Sequence, residues 1–430
     1  MGPGPMPLLR RIGHLSNPSA PVASMSFRTL HTAEMLLPMG GAGPLADAAV
    51  VVDDRGVVLE VAELRMLRSP YDRRCDHQIV MPGVVNCHTH LTDARRTEPV
   101  PGGEGFIRWA SGLLSGRDAE TADLSSAVAD LLGRMHALGT VAVGEVANNF
   151  DTLEGIARSG MRCRFIHELI GLRRDRAEPI MAHALEAEQG VTWPENVSYA
   201  LGAHAPYSVS PELMLLIAER SRRRGMFFYE HLAEDPDERT FYTTGGGPWP
   251  EFLRKVGSWE PSWSAPGISP IEFYDTLGLL DEHFVAVHLT DAGDDELALL
   301  AARRASAILS PSSNLHITGR LPRFREIAGS GMRFAFGTDG RGSNRSIDVF
   351  DEARIMLHAA DDLPPGIILE ALTSSGAAIL GFDDLGAIRP GARPGLIAVE
   401  IDGAGDDLRG MERSIISSPI SRTLISQHPE

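Results

Sequence analysis

The chain has one lysine, Lys255, in 430 residues, and three cysteines, Cys75, Cys87 and Cys163, with no C-x-x-C among them. Three is an odd number and the spacings are wide, which excludes a disulfide framework and fits a reducing, cytoplasmic setting. Positive charge is short as well. Forty Lys and Arg against 57 Asp and Glu leave a formal net charge of −17, which argues against nucleic acid or an anionic membrane as partner. No apolar run approaches the roughly 20 residues that cross a bilayer. Residues 1–25, rich in Gly and Pro and carrying Arg10-Arg11, lack the apolar h-region of a signal peptide and are expected to form a disordered leader. There is no internal repeat, and no G-x-G-x-x-G follows the first strand-like run, which weighs against a doubly wound dinucleotide-binding sheet.

What the chain does have is alternation. Eight apolar, β-type runs fall at 80–88, 140–147, 162–171, 197–205, 226–233, 284–291, 306–312 and 332–338, with amphipathic stretches such as 122–138, 211–224 and 368–381 between or after them. Repeated strand–helix units predict a parallel sheet with right-handed crossovers. Eight units over about 300 residues predict an α/β fold, a (β/α)8 TIM barrel whose chemistry sits at the C-terminal strand ends. Two β-rich ends flank this middle: 48–52 and 57–61 around the turn Asp53-Asp54-Arg55-Gly56, answered by 395–401. They predict a small composite β-sandwich of residues 26–80 and 385–430 beside a barrel of residues 81–384.

The chemistry-bearing residues stand where the apolar runs stop. The first run ends in Cys87-His88-Thr89-His90, and side chains two apart on a strand point the same way. Alone, H-x-H is a weak signal. Later runs end in His204-Ala205-Pro206-Tyr207, in His231-Leu232-Ala233-Glu234, in Val287-His288 and in Gly337-Thr338-Asp339-Gly340. Four strand ends deliver histidine and one delivers aspartate, which suits a divalent ion such as zinc or iron.

This set resembles the amidohydrolase superfamily over residues 28 to 425. Within it, the set is similar to the mononuclear branch of aminofutalosine, S-adenosylhomocysteine/methylthioadenosine and guanine deaminases and the triazine hydrolases. The resemblance implies His88, His90, His231 and Asp339 as ligands of one divalent metal ion, Zn2+ or Fe2+. It implies Glu234 as proton shuttle, His288 and Asp339 beside the reacting water, and His204 against substrate. Three histidines and a carboxylate leave a position open for water, as catalytic sites do. A bound cation can lower the pKa of water to about 7, and a carboxyl three residues past His231 can carry its proton to a ring nitrogen. Binuclear relatives bridge their metals with a carboxylated lysine on strand 4, where this chain reads Tyr199-Ala200-Leu201-Gly202-Ala203. One metal is expected.

A lid insertion is expected at 235–283, irregular and holding three of the five tryptophans, Trp249, Trp259 and Trp263. Its aromatics serve either to stack on a planar substrate, Trp249 first, or to pack the lid itself. With the loops 99–109 and 313–319, it most resembles the aminofutalosine deaminase-like subgroup. The substrate this implies is an adenine on a benzoate-bearing ribose, in the futalosine route to menaquinone. The chain departs from that subgroup at Thr92-Asp93 and at Ser312, where an arginine is usual; Arg341 is the residue placed to supply that charge. The expected protein is a cytoplasmic homodimer that deaminates a small aminated heterocycle. The alternatives are triazine-type dechlorination, cyclic amide hydrolysis, or a metal-binding homologue without catalysis.

Overall fold

A computed structural model describes residues 27–115, 123–401, 407–417 and 421–425; the expected leader lies outside the described residues. The chain opens with β1 (Arg28–Leu36), β2 (Leu45–Asp53), β3 (Val58–Glu63) and β4 (Arg73–Pro82). β2 and β3 form the hairpin that Asp53-Asp54-Arg55-Gly56 foretold. Asp53 Oδ1 accepts from the amides of Arg55 at 3.0 Å and Val57 at 2.8 Å, and Gly56 takes φ 75°. An aspartate bonded to the backbone ahead of it, followed by a glycine that tolerates the left-handed region, fixes such a turn.

Eight parallel strands follow in register order: β5 (Val84–His90), β6 (Thr140–Ala147), β7 (Arg162–Leu169), β8 (Val197–Ala203), β9 (Phe228–Leu232), β10 (Phe284–His288), β11 (Ser306–Leu309) and β12 (Arg333–Phe336). Each pairs with the one before it. The two-residue β13 (Asp339–Gly340), just beyond β12, pairs with β5 through Asp339↔Thr89 and Gly340↔His90, so the ends of the sheet meet. At this seam Thr338 N donates to Asn86 Oδ1 at 3.0 Å, and Asn86 Nδ2 to Thr338 Oγ1 at 2.8 Å. Gly337 makes the approach possible: a Cβ there would stand 2.4 Å from His88 Cβ, closer than any two carbons pack.

β14 (Leu396–Glu400) and β15 (Ser421–Leu424) return to the first sheet, whose order is β15-β14-β4-β1-β2-β3. Both chain ends thus build the small β unit, as expected, in one hydrogen-bonded order of six strands.

Packing explains why the middle folds as it does. Val85, Ala142, Ile166, Ala200, Val285 and Ile308, one from each of six strands, cluster with Ile379 and Leu380. The apolar stripes of the helices, among them Leu131, Ile217, Leu297, Ile327, Met356 and Leu369, join a larger buried cluster that also holds strand residues. The expected helices at 122–138 and 211–224 are Leu124–Ala137 and Pro211–Arg223, capped by Asp123 and Ser210. The stretch 368–381 divides into Pro365–Leu372 and Ser374–Ile379, because Thr373 leaves the helical region and its hydroxyl donates to Leu369 O at 2.7 Å. The insertion 235–283 is more ordered than expected: it holds helices Pro236–Thr244, Trp249–Lys255 and Pro270–Thr276, each with Pro in its first turn.

Candidate active site

His88 and His90 close β5, His231 lies one residue from the end of β9, and Asp339 starts β13. His88 Nε2 stands 3.3 Å from His231 Nε2 and 3.6 Å from Asp339 Oδ1, and His90 Nε2 stands 3.5 Å from the same oxygen. Donors held about 2.1 Å from one centre in a tetrahedron lie roughly 3.4 Å apart. Those three distances have the spacing of a zinc ligand set, and the ligand atoms of His88, His90 and His231 lie within 4.8 Å of one another. Ring orientation agrees. His90 Nδ1 donates to Val146 O at 3.0 Å and His231 Nδ1 to His204 O at 2.7 Å, which leaves each Nε2 lone pair facing inward. Asp339 Oδ2 accepts from Ser313 Oγ at 2.6 Å, while Oδ1 faces the histidines. Burial holds the His88 and His231 imidazoles below their ordinary range, the neutral form a ligand needs. Burial alone would raise Asp339, but the adjoining His88 and His90 hold it well below the usual carboxylate range.

Glu234 and His288 stand beside this centre, with His288 Nε2 3.6 Å from Glu234 Oε1. Asn314 Nδ2 donates to His288 Nδ1 at 3.1 Å, so the ring proton sits on Nε2, and burial lowers the imidazole to about 3. Burial, and then Asp339, pushes the Glu234 carboxyl well above its usual range. His90, His231, Asp339, Glu234 and His288 line one cavity of about 320 Å³, which His204 and Trp249 also face. His204 Nδ1 lies 2.6 Å from Ser208 Oγ. Trp249 is 1% exposed and stacks on Tyr207 with ring centroids 3.5 Å apart, so one face of the indole is already covered. Trp263 stacks on Phe241 within the lid at 3.9 Å, and Arg254 lies over Trp259 at 4.4 Å. Of the two uses foreseen for these aromatics, Trp249 meets the cavity, while Trp259 and Trp263 pack within the segment 235–283.

Arg341 is not where the anion clamp needs it. Its guanidinium donates to the carbonyl oxygens of Arg96 at 2.7 Å, Arg345 at 3.1 Å and Thr97 at 3.3 Å, and the residue does not line the cavity. Gly340 and Gly342 do line it, while Arg341 opens a turn in which the amides of Ser343 and Asn344 both donate to Gly340 O at 3.1 Å. Lys255 sits exposed at the end of the helix Trp249–Lys255, and β8 holds no lysine.

Three buried carboxylates that no sequence pattern singled out hold the mouth in shape. Glu145 Oε2 accepts from Leu91 N at 2.8 Å, just past His90. Glu238 Oε1 accepts from Ala233 N at 2.8 Å, just before Glu234. Glu352 accepts from Ser312 N at 2.7 Å and from Asn344 Nδ2 at 2.9 Å. Burial raises each of the three to about 8. Backbone strain gathers here too: Ala233 (φ 51°), His288 (φ 80°), Leu289 (φ 53°) and Asp339 (φ 60°) are in the left-handed region. For residues other than glycine that conformation costs of order 1 kcal/mol or more each, and it concentrates at functional sites.

Residues 79–418 match the Amidohydrolase family. The chain belongs to that family. It is a hydrolase of carbon–nitrogen bonds other than peptide bonds. It is 26% identical to the aminodeoxyfutalosine deaminase of Deinococcus radiodurans over 361 residues, 80% of this chain and 83% of that one. It is 28% identical to the 5-methylthioadenosine/S-adenosylhomocysteine deaminase of Natronomonas pharaonis over 349 residues, 77% and 75% of the two chains. The fold is shared with Helicobacter pylori aminofutalosine deaminase in complex with methylthio-coformycin: TM-score 0.77, 19% identity, 90% of this chain and 95% of that one. It is shared as well with a zinc-bound adenosine deaminase from Xanthomonas campestris: TM-score 0.71, 24% identity, 93% and 94% covered. Among the described residues no helix is long and apolar enough to cross a membrane.

Proposed function

We propose that this amidohydrolase is a one-metal hydrolytic deaminase of an aminated heterocycle, an adenine nucleoside in the first instance. In this reading residues 81–384 are the catalytic barrel, 235–283 its lid, and 26–80 with 385–430 a small sandwich formed by the six-stranded sheet folding over. The observation that carries it is His88 Nε2 at 3.3 Å from His231 Nε2 and 3.6 Å from Asp339 Oδ1, with His90 Nε2 3.5 Å from that same oxygen and Glu234 and His288 alongside. The relatives named as deaminases of adenine nucleosides support the substrate class. When bound by His88, His90, His231 and Asp339, a zinc or ferrous ion supplies Lewis-acid activation of water.

The remaining work falls to the chain itself. Glu234 takes a proton from water and delivers it to the ring nitrogen beside the reacting carbon; a carboxyl raised by burial can hold that proton between the two tasks. His288, neutral with its proton on Nε2, donates to the oxygen as charge develops on it. His204, at the cavity wall, orients the ring. One water enters, ammonia leaves, and the amino-bearing carbon becomes a carbonyl.

Metal-loaded protein should release ammonia from adenine nucleosides and no chloride from chlorotriazines. Glu234→Gln should keep the metal at wild-type stoichiometry and lose about 10²- to 10⁴-fold in kcat. Full turnover in Glu234→Gln would remove the shuttle, and ammonia from no aminated heterocycle would remove the reading.

A further inference from the structure

Strand β7 carries a carboxylate that the reaction just described leaves unused. Along this strand Ile166 packs with residues of the neighbouring strands, while Phe165 and Leu169 join the cluster shared with the helices. Side chains alternate along a strand, so Glu168 follows Ile166 in the inward row and comes out at the mouth. There it lines the same cavity as His204 and His231, 5% exposed.

One neighbour holds it in place. Asn148 Nδ2 donates to the Glu168 carbonyl oxygen at 3.1 Å and to Oε2 at 2.9 Å, so both amide hydrogens go to this one residue. Oε1 is buried and has no hydrogen-bond partner among the described residues. His231 Nδ1 stands 3.4 Å away, but its hydrogen already goes to His204 O at 2.7 Å. Arg176 lines a second cavity, of about 310 Å³, behind the shared wall of Asn148, Glu168 and Ile170, and makes no hydrogen bond to Oε1. Among the described residues that line the active cavity, two other buried polar atoms lack a partner, the Tyr207 hydroxyl and Trp249 Nε1. An indole N–H only donates and a phenol does either; a carboxylate oxygen only accepts. Folded proteins rarely bury such an acceptor without a donor. At Glu168 the open side is the cavity, and the donor is one that enters it.

We propose that Glu168 is a specificity-determining residue: Oε1 accepts a hydrogen bond from a neutral donor on the substrate, a hydroxyl or a ring N–H, and selects for compounds that carry one. The inference rests on the deaminase reading and adds a residue to it. On a nucleoside the donor is a sugar hydroxyl; on a free base it is the ring N–H that a sugar replaces. A methylene in that place leaves Oε1 buried with no partner at all, and a group with lone pairs alone sets acceptor against acceptor. A site built for a donor rejects the analogue without it steeply.

Ammonia release by the metal-loaded full chain tests it in two series. Adenosine against 2′-deoxyadenosine and 3′-deoxyadenosine removes a hydroxyl; adenine against 9-methyladenine removes the ring N–H. In one series kcat/KM should fall about 10²-fold when the donor goes. Glu168→Leu should keep the metal at wild-type stoichiometry, treat compounds with and without the donor alike within about threefold, and deaminate the donor-free compound as wild type does. Glu168→Gln, the smaller change, should weaken the preference by about tenfold. Asn148 claims its amide oxygen, so its NH2 meets a ring N–H as donor on donor and a hydroxyl as a weaker neutral bond. Arg176→Gln should leave the wild-type preference in place. No preference in wild type, one that outlasts both Glu168 variants, or one lost in Arg176→Gln overturns the proposal and leaves the deaminase intact. So does loss of metal, or slow turnover of every compound, in both Glu168 variants, which would assign the carboxylate to His231. Ammonia from no compound, adenosine included, overturns both readings.

Discussion

Two groups of histidines meet across strands in this molecule, and only one has the makings of a site. In the small β unit, His31 on β1 and His77 on β4 bring Nδ1 and Nε2 to 3.0 Å, with ring centroids 5.2 Å apart. At the barrel mouth His88, His90, His231 and His288 gather at comparable ring distances, 4.9 to 5.7 Å. The distances do not separate them. What does is position along the strand and company. His31 and His77 lie inside paired strands, where one ring nitrogen answers the other. The mouth histidines lie where strands stop, Nδ1 of His90 and His231 tied to carbonyls and that of His288 to Asn314, with a carboxylate completing the set and a cavity above it. Three imidazoles and a carboxylate around one centre can bind a metal; two imidazoles in a sheet bond to each other.

The comparison breaks most sharply if the metal follows the wrong group. His231→Ala should reduce bound metal to background and turnover by at least about 10³-fold. His77→Ala should leave metal stoichiometry and kcat as they are; elemental analysis of both purified variants, beside steady-state rates, decides. A smaller effect belongs to the residue that holds a mouth histidine without touching the centre. Asn314→Ala frees His288 Nδ1, and kcat should fall about 10- to 100-fold with metal content unchanged. A loss of metal in that variant would show that Asn314 supports the fold of the site rather than one ring.

The smallest effect is on stability, and there the two regions should respond to pH in opposite senses. Burial lowers His31 to about 4, against 6.5 for the free side chain. Between those values the unfolded chain binds a proton that the folded sheet refuses, so stability is lost as pH falls from about 6.5 towards 4. Glu352 is raised to about 8 from 4.5, so between those values the folded mouth keeps a proton that the unfolded chain releases. Its contribution to stability is lost as pH rises from 4.5 towards 8. Melting temperatures at pH 4.5, 6.5 and 8.5 should therefore lose part of their acid-side decline in His31→Leu and part of their alkaline-side decline in Glu352→Gln. The same slope in wild type and variant would show that the named group is not the one titrating.

These contrasts mark what a sequence can and cannot announce. All eight barrel strands could be placed from apolar runs, and the ends of those runs named His88, His90, His231, His288 and Asp339, because strand termini and chemistry coincide in this architecture. Glu145, Glu168 and Glu238 left no such trace. Each is an acidic residue whose meaning comes only from the backbone amide or the cavity that the fold brings to it. Arg341 failed for a related reason. Nearness to Asp339 along the chain was visible, but its direction depends on the backbone after a residue at φ 60°. The segment 235–283 was legible as aromatic-rich; its three short helices have too few turns to show a periodic stripe.

The seam at Gly337 has a kinetic consequence. The first and last strands of the barrel, some 250 residues apart along the polypeptide, bring His88 and Asp339 together only when the ring closes. Contacts of such long sequence separation form late. A refolding chain should therefore collapse at the same speed with or without zinc in the buffer, and the ion should register only in the final, rate-limiting docking of β12 and β13 against β5.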